Sequence, residues 1–323
     1  MKVGVVVIGR NEGERLRRCL ESALGLAEKL VYVDSGSTDG SAELARSLGA
    51  EVVELDMSVP FTAARARNAG FRRLFESASA PRYVQFIDGD CELRPGWLGR
   101  AVAFLDNHAD AAMVCGRLRE RFPERSIYNR LCDMEWDTPV GEAKACGGIA
   151  MVRADAFGQM QGFRPDLIAG EEPELCVRLR AAGWRIWRLD AEMAWHDAAM
   201  FRFGQWWKRS VRAGYTFAEG AHLHGDTQER HRVRESRSIL AWGIAIPLSA
   251  VTGVALWGAW GCILLGLYPV QVVRLCLRGD RTLRDSCLRS LFMVLGKFPE
   301  ALGLMKFVMH RMMGEKASLI EYK

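Results

Sequence analysis

From residue 1 to about residue 190, short unbroken apolar runs alternate with stretches whose apolar residues recur every three or four positions. The runs at 3–8, 30–33, 51–55 and 83–87 predict buried strands, and further strands are expected near 112–115 and 148–152. The periodic stretches predict helices over 14–24, 41–48, 62–75, 97–105 and 173–182, with Gly49 ending the second. Strands alternating with helices imply an α/β unit with a mostly parallel, Rossmann-like sheet. Residues 200–238 are polar and rich in aromatics, with no strand pattern.

The pattern then changes character. Residues 239–273 are 35 consecutive positions without Asp, Glu, Lys, Arg or His. One helix of that length would run about 50 Å, well beyond a bilayer's ~30 Å hydrocarbon core, whereas two halves fit a short span. A helical hairpin is therefore expected, turning at Gly258-Ala259-Trp260-Gly261, with a kink at Pro247. A buried helical pair of a soluble domain would need polar outer faces, and this run has none. Arg230, Arg232, Arg234 and Arg237 precede it, and Arg274, Arg278, Arg281 and Arg284 follow. By the positive-inside rule both ends face the cytoplasm, with a two-pass and a re-entrant hairpin both open. Residues 287–313 read as one or two amphipathic helices suited to a membrane surface or to packing on the front unit. The expected divisions are 1–200 for the α/β catalytic domain and 201–238 for aromatic linker helices near the acceptor site. They continue with 239–275 for the hairpin and 276–323 for amphipathic C-terminal helices.

A chain that is 49% hydrophobic and 26% charged is outside the range of intrinsic disorder. Its net charge of +5 conceals a front part, residues 1–200, at −4 and a rear, residues 201–323, at +9. The arginines at 230–237 abut the apolar run and read as its cytoplasmic flank, so no nucleic-acid partner is expected. Nine cysteines without a CxxC pair argue against a zinc site and a disulfide framework and favour a reducing compartment. The first apolar run is too short for a signal-peptide core, so the front of the protein is expected to stay unexported.

In a parallel sheet, ligands bind beyond the carboxyl ends of the strands. Three such ends carry polar clusters here: Arg10-Asn11-Glu12, the run from Asp34 to Gly40, and Asp88-Gly89-Asp90. The first lacks G-x-G-x-x-G, which argues against a dehydrogenase. Asp88-Gly89-Asp90 places two carboxylates on a tight turn after an apolar strand. Hard oxygen ligands of this kind suit Mg²⁺ or Mn²⁺, which would hold the two phosphates of a nucleotide.

Taken in order, these segments resemble the family-2 inverting glycosyltransferases of the GT-A fold over residues 3–200. The resemblance rests on the Asn11-Glu12 pair, on Val33-Asp34-Ser35-Gly36-Ser37-Thr38-Asp39-Gly40, on Ala66-Arg67-Asn68-Ala69-Gly70 and on Asp88-Gly89-Asp90. It continues through Gly147-Gly148, Gly162-Phe163 and Gly170-Glu171-Glu172-Pro173-Glu174-Leu175. It implies that Asp34 and Glu12, with Asn11, contact the donor nucleoside, commonly uridine. Asp39 is expected to cap a helix. Arg67 is expected near the diphosphate, Asp88 near ribose and metal, and Asp90 on the metal, with His196 as a further ligand. Inversion requires a base, and Glu171 and Glu172 are the candidates. With Pro173 at the first helical position, Glu172 would be the cap and stay ionised there. The family usually has Asp at that place, so the choice between the two glutamates stays open.

Gln205-Trp206-Trp207-Lys208-Arg209 departs from the Q-x-x-R-W signature of processive relatives, which with a single hairpin favours single addition over polymer extrusion. Trp206 and Trp207, with Gly147 and Gly148, are expected on the acceptor side. The implied function is metal-dependent transfer of one sugar from a nucleotide-diphosphate sugar, expected to be a UDP-sugar, to a saccharide or lipid-linked acceptor hydroxyl. It would take place at the cytoplasmic membrane face, in polysaccharide or glycolipid synthesis. The rivals are a nucleotidyltransferase, which lacks its phosphate loop here, and a catalytically silent sugar-nucleotide-binding scaffold.

Overall fold

The computed structural model describes residues 3–76 and 80–314. The chain divides into two compact units between residues 199 and 200.

In the first unit the described strands are β1 (Val3–Gly9), β2 (Lys29–Asp34), β3 (Glu51–Glu54), β4 (Tyr83–Asp88), β5 (Cys91–Leu93), β6 (Ala111–Glu120), β7 (Gly141–Glu142), β8 (Ala150–Arg153) and β9 (Arg185–His196). They form one sheet in the order β3-β2-β1-β4-β8-β6-β9-β5, with β7 on β9. The pairs β1–β2, β1–β4, β2–β3 and β6–β9 are parallel; β8 runs antiparallel between β4 and β6. Val3, Val5, Val6 and Val7 are fully buried, as expected of a strand covered on both faces. Helix Ala63–Phe75 follows Thr62, whose hydroxyl accepts from Arg65 N at 3.1 Å. Gly70 lets this helix press on the sheet: a Cβ there would lie 2.3 Å from Val6 Cγ1.

The parallel half matches the periodicity closely. Strands β5, β7 and β9 and helices Ile127–Glu135 and Ala154–Gln159 fall where no clear apolar pattern announces them, each being short or polar. Strand β6 runs on to Glu120 beyond its apolar core, through a register shift near Arg117 that absorbs the polar residues.

The second unit is helical among its described residues. Helix Phe203–His224 occupies the polar, aromatic stretch and crosses helix Lys297–Met313 at backbone contact. Cβ atoms built on Gly214 and Gly303 would meet Glu300 O at 2.0 Å and Val211 O at 1.9 Å. The apolar helical stretch Val233–Leu277 reverses at Gly258, where φ is +62°, so its two arms lie side by side. A Cβ on Gly261 would sit 2.1 Å from Val254 N, and the Tyr268 hydroxyl donates to Trp242 O at 2.5 Å. A π-helical turn, Leu240–Ala245, precedes Pro247 and accommodates its missing N–H. Leu248, Val251, Leu256, Trp257, Trp260 and Ile263 on these arms are all exposed.

The amphipathic region is two helices, Leu283–Leu295 and Lys297–Met313; residues 315–323 of the expected C-terminal segment lie outside the described residues. The cysteines correct one expectation. Cys276 and Cys287 form a disulfide, because the turn between two helices brings their Cα atoms to 4.9 Å. The other seven are thiols.

Candidate active site

The loops leaving β1 and β2 are laced to each other. Asn11 N donates to Ser37 Oγ at 3.0 Å, Asn11 Oδ1 accepts from Thr38 N at 2.7 Å, and Asp39 Oδ2 accepts from Gly13 N at 3.0 Å. Asp39 also accepts from Ser41 N and Oγ, holding the entry to helix Ser41–Ser47, whose N-cap position belongs to Gly40. Asp34 is buried at the end of β2. Its Oδ2 accepts from Gly36 N and Ser37 N, and its Oδ1 accepts from the Tyr32 hydroxyl, whose proton affinity burial pushes up. Glu12 pairs with Arg15 at 2.7 Å and lies against Gly89, where a Cβ would come within 3.2 Å of its Cγ. The expected nucleoside-side residues Asn11, Glu12 and Asp34 are thus neighbours at adjacent strand ends.

Arg67 is buried and bridges two carboxylates. Its Nη2 donates to Asp88 Oδ1 at 2.7 Å, and its Nη1 pairs with Glu171 Oε1. Burial alone would lower its pKa, but the two carboxylates outweigh that and raise it. Gly148 packs on this bridge, since a Cβ there would lie 2.6 Å from Arg67 Nη2. Asp88 is therefore engaged by Arg67 rather than grouped with Asp90.

Asp90 is buried and faces His196 across the end of the β5–β9 pair, with His196 Nε2 3.1 Å from Asp90 Oδ2. The donor atoms of Asp90, Cys91 and His196 lie within 4.8 Å of one another. His196 Nδ1 is buried with no hydrogen-bond partner among the described residues, and Trp136 covers the imidazole at 4.6 Å between centroids. A carboxylate beside an imidazole suits Mn²⁺ or a similar divalent ion. The Cys91 thiol, 3.5 Å from Asp90 Oδ1, serves as a donor to that carboxylate.

The helix carrying the two glutamates is Glu171–Ala181, and its N-cap is Gly170 at φ +79°. This corrects the expected cap: Glu171 and Glu172 occupy the first two helical positions and Pro173 the third, because glycine alone readily takes the left-handed conformation at that turn. Glu172 points inward. Its Oε1 accepts from Cys146 N at 2.7 Å and from Cys176 Sγ at 2.9 Å, and its buried Oε2 has no partner among the described residues. Burial outweighs these hydrogen bonds and raises its pKa, so the helix end does not hold the carboxyl at the low value expected of a cap.

Gly147, expected on the acceptor side, follows Cys146, whose N–H meets this glutamate; the thiols, Trp136 and Cys91 had no place in the sequence expectation. None of those sits in a recognisable spacing. Trp206 and Trp207 belong to the second unit, where Trp206 meets Phe292 edge-on at 4.9 Å.

The model of Glycosyl transferase family 2 matches residues 4–168. The chain is 24% identical over 225 residues to glycosyltransferase AglE of Haloferax volcanii, covering 66% of this chain and 71% of AglE. It is 27% identical over 202 residues to succinoglycan biosynthesis protein ExoA of Rhizobium meliloti, covering 58% of this chain and 60% of ExoA. Among solved structures, the mannosyltransferase PcManGT of Pyrobaculum calidifontis, in complex with GDP-Man and Mn²⁺, resembles it with a TM-score of 0.65 at 18% identity. That likeness covers 94% of this chain and 87% of PcManGT and is one of fold. With its sheet order, strand-end clusters and family match all falling on the same segment, the chain belongs to glycosyltransferase family 2 and has the GT-A fold.

Proposed function

We propose that the protein transfers a single sugar from a nucleotide-diphosphate sugar to a saccharide or lipid-linked acceptor hydroxyl, with inversion, at a membrane surface. The observation that carries this reading is Glu172: Oε1 is pinned by Cys146 N and Cys176 Sγ, Gly147 N adds a weaker pull on the carboxylate, and Oε2 has no close hydrogen-bond partner among the described residues. In a single displacement a base must take the acceptor's proton, and a base works best when its pKa lies near the working pH. Burial moves Glu172 in that direction. Glu171 is committed to Arg67 and orients it. Glu172 is therefore the base, with Oε2 receiving the proton.

Asn11, Glu12 and Asp34 receive the nucleoside at the ends of β1 and β2. Asp90 and His196 would hold the divalent cation, while Asp88 stays on Arg67. Such an ion, when bound, offsets the charge gathering on the departing diphosphate. The GDP-Man and Mn²⁺ named for PcManGT are of the same chemical kind. Gly147 and Gly148 line the acceptor side of the first unit, next to Cys146 and Arg67. The exposed apolar arms of Val233–Leu277 and their flanking arginines support anchorage in a membrane with the catalytic unit in the cytoplasm, as suits polysaccharide or glycolipid synthesis.

The test is nucleoside diphosphate release from a panel of UDP- and GDP-sugars with Mn²⁺ and a membrane lipid extract. Glu172→Gln should cut the rate by about 10²-fold or more. Asp90→Ala should abolish the Mn²⁺-dependent activity. Full activity in both variants rules the assignment out.

A further inference from the structure

Arg117 in β6 and Arg188 in β9 are buried cations that converge on one carboxylate. Arg117 Nη1 pairs with Asp137 Oδ1, and Arg188 Nη2 lies 3.9 Å from the same oxygen. Arg117 Nη2 also lies 3.7 Å from Asp133 Oδ1. The Nε atoms of both arginines are buried with no hydrogen-bond partner among the described residues. Burial, against the pull of Asp137 and Asp133, still draws the Arg117 pKa down. Two desolvated guanidiniums with unused donors are costly unless an anion completes them.

Asp137 is the exposed member of the group, its side chain 42% accessible, and it opens an exposed segment through residue 140. The residue before it, Trp136, is the one that covers His196. The segment therefore links the arginine pair to the Asp90–His196 pair.

We propose that Arg117 and Arg188 form a binding site for a phosphate group of the acceptor, and that Asp137 holds this position as an internal substitute which the phosphate displaces. The word acceptor rests on the function proposed above; the anion site itself does not. Two guanidiniums present forked donors matched to phosphate oxygens. Position in the sheet favours acceptor over donor. Strand β6 is four strands from β2, where Asp34 lies, and two from β4, where Asp88 lies. At about 4.8 Å per strand these are separations of about 19 Å and about 10 Å. The pair thus lies across the diphosphate position from the nucleoside, on the side of Cys146, whose Sγ is 3.9 Å from Trp187 O. A lipid-linked phosphate and a soluble sugar phosphate present the same chemistry.

The full chain in detergent is titrated with inorganic phosphate against chloride of equal ionic strength, following thermal unfolding. Phosphate should stabilise the wild type. Asp137→Asn, a change on an exposed segment, should bind phosphate at least about tenfold more tightly, the factor expected when one charged competitor is removed. Arg188→Gln should lose the response. Equal phosphate affinity in wild type and Asp137→Asn, or a retained response in Arg188→Gln, overturns the site; if Arg188→Gln does not fold, the Asp137→Asn comparison decides. A polyprenyl phosphate and a hexose phosphate are then tested as competitors. Competition by either supports the acceptor assignment and names its source, and competition by neither overturns it. Weaker UDP or GDP affinity in Arg188→Lys would give the pair to the donor and also overturn it. Phosphate binding without sugar transfer would leave the site standing and remove the proposed function; transfer without phosphate binding would do the reverse.

Discussion

Replacing Gly148 by alanine puts a methyl carbon 2.6 Å from Arg67 Nη2, 3.4 Å from its Cζ and 3.5 Å from Asp88 Oδ2. No stable contact is that short, so the guanidinium must move. It is buried and tied to Asp88 and Glu171, so it lacks the free swing of a surface arginine. The contact most directly in the way is the 2.7 Å bond to Asp88. A hydrogen bond to a charged group contributes about 1.5–3 kcal/mol. The Asp88 side chain is 37% exposed, and water screening reduces the expected loss to about 1–2 kcal/mol. In a unit of this size each kcal/mol moves Tm by about 2–4 °C, which gives a drop of about 2–8 °C. The assay is thermal unfolding by circular dichroism, with nucleotide affinity measured alongside, since Asp88 is released from its partner. Arg67→Lys supplies the control. A lysine has no forked head at that point, so Gly148→Ala should cost much less in the Arg67→Lys background, and the pair should be non-additive. An unchanged Tm in Gly148→Ala, or strict additivity, would refute the assignment of Gly148 as the residue that makes room for the Arg67 bridge.

Glu172 has a pKa raised in the folded state, so the folded protein holds its proton where the unfolded chain has lost it. Its contribution to stability therefore falls as pH rises above the ordinary carboxylate value of about 4.3. Chemical denaturation across that range should show a flatter pH dependence for Glu172→Gln than for wild type; identical slopes would contradict the burial argument. Gly70→Ala drives a methyl to 2.3 Å from Val6 Cγ1 and 3.0 Å from Val33 Cγ2 and should cost about 1–3 kcal/mol in urea unfolding, with partial rescue by Val6→Ala. Gly261→Val collides with the backbone at Val254 N and should part the two arms. Cross-linking between cysteines placed at Trp242 and Tyr268 would then fall, and undiminished cross-linking would argue against the packed hairpin.

The strands of the parallel half could be read residue by residue, because a strand buried on both faces leaves an unbroken apolar run. Helix Phe203–His224 could not, since its glycines and polar residues serve a close helix crossing rather than a single apolar stripe. The same holds for the site. Asn11, Asp34 and Asp90 stand at strand ends where a ligand is expected, and that position together with motif order drew attention to them. The division of labour between Glu171 and Glu172 had no sequence signal, because adjacent helical positions differ by about 100° in direction. Here one meets Arg67 and the other Cys146 and Cys176.

The sequence by itself determined the α/β class, the family, the strand-end clusters and the apolar run that reverses on itself. The class and the reversing run follow from local periodicity and from glycine and proline punctuation, the family from the resemblance of ordered motifs, and none of these needs knowledge of distant neighbours. Tertiary structure alone decided that Arg67 binds Asp88 and Glu171, that His196 joins Asp90 from 106 residues away, and that Arg117 and Arg188 share Asp137. Each of those is an electrostatic pairing across the sheet. Its partners are set by strand order and burial, and no spacing along the chain encodes them.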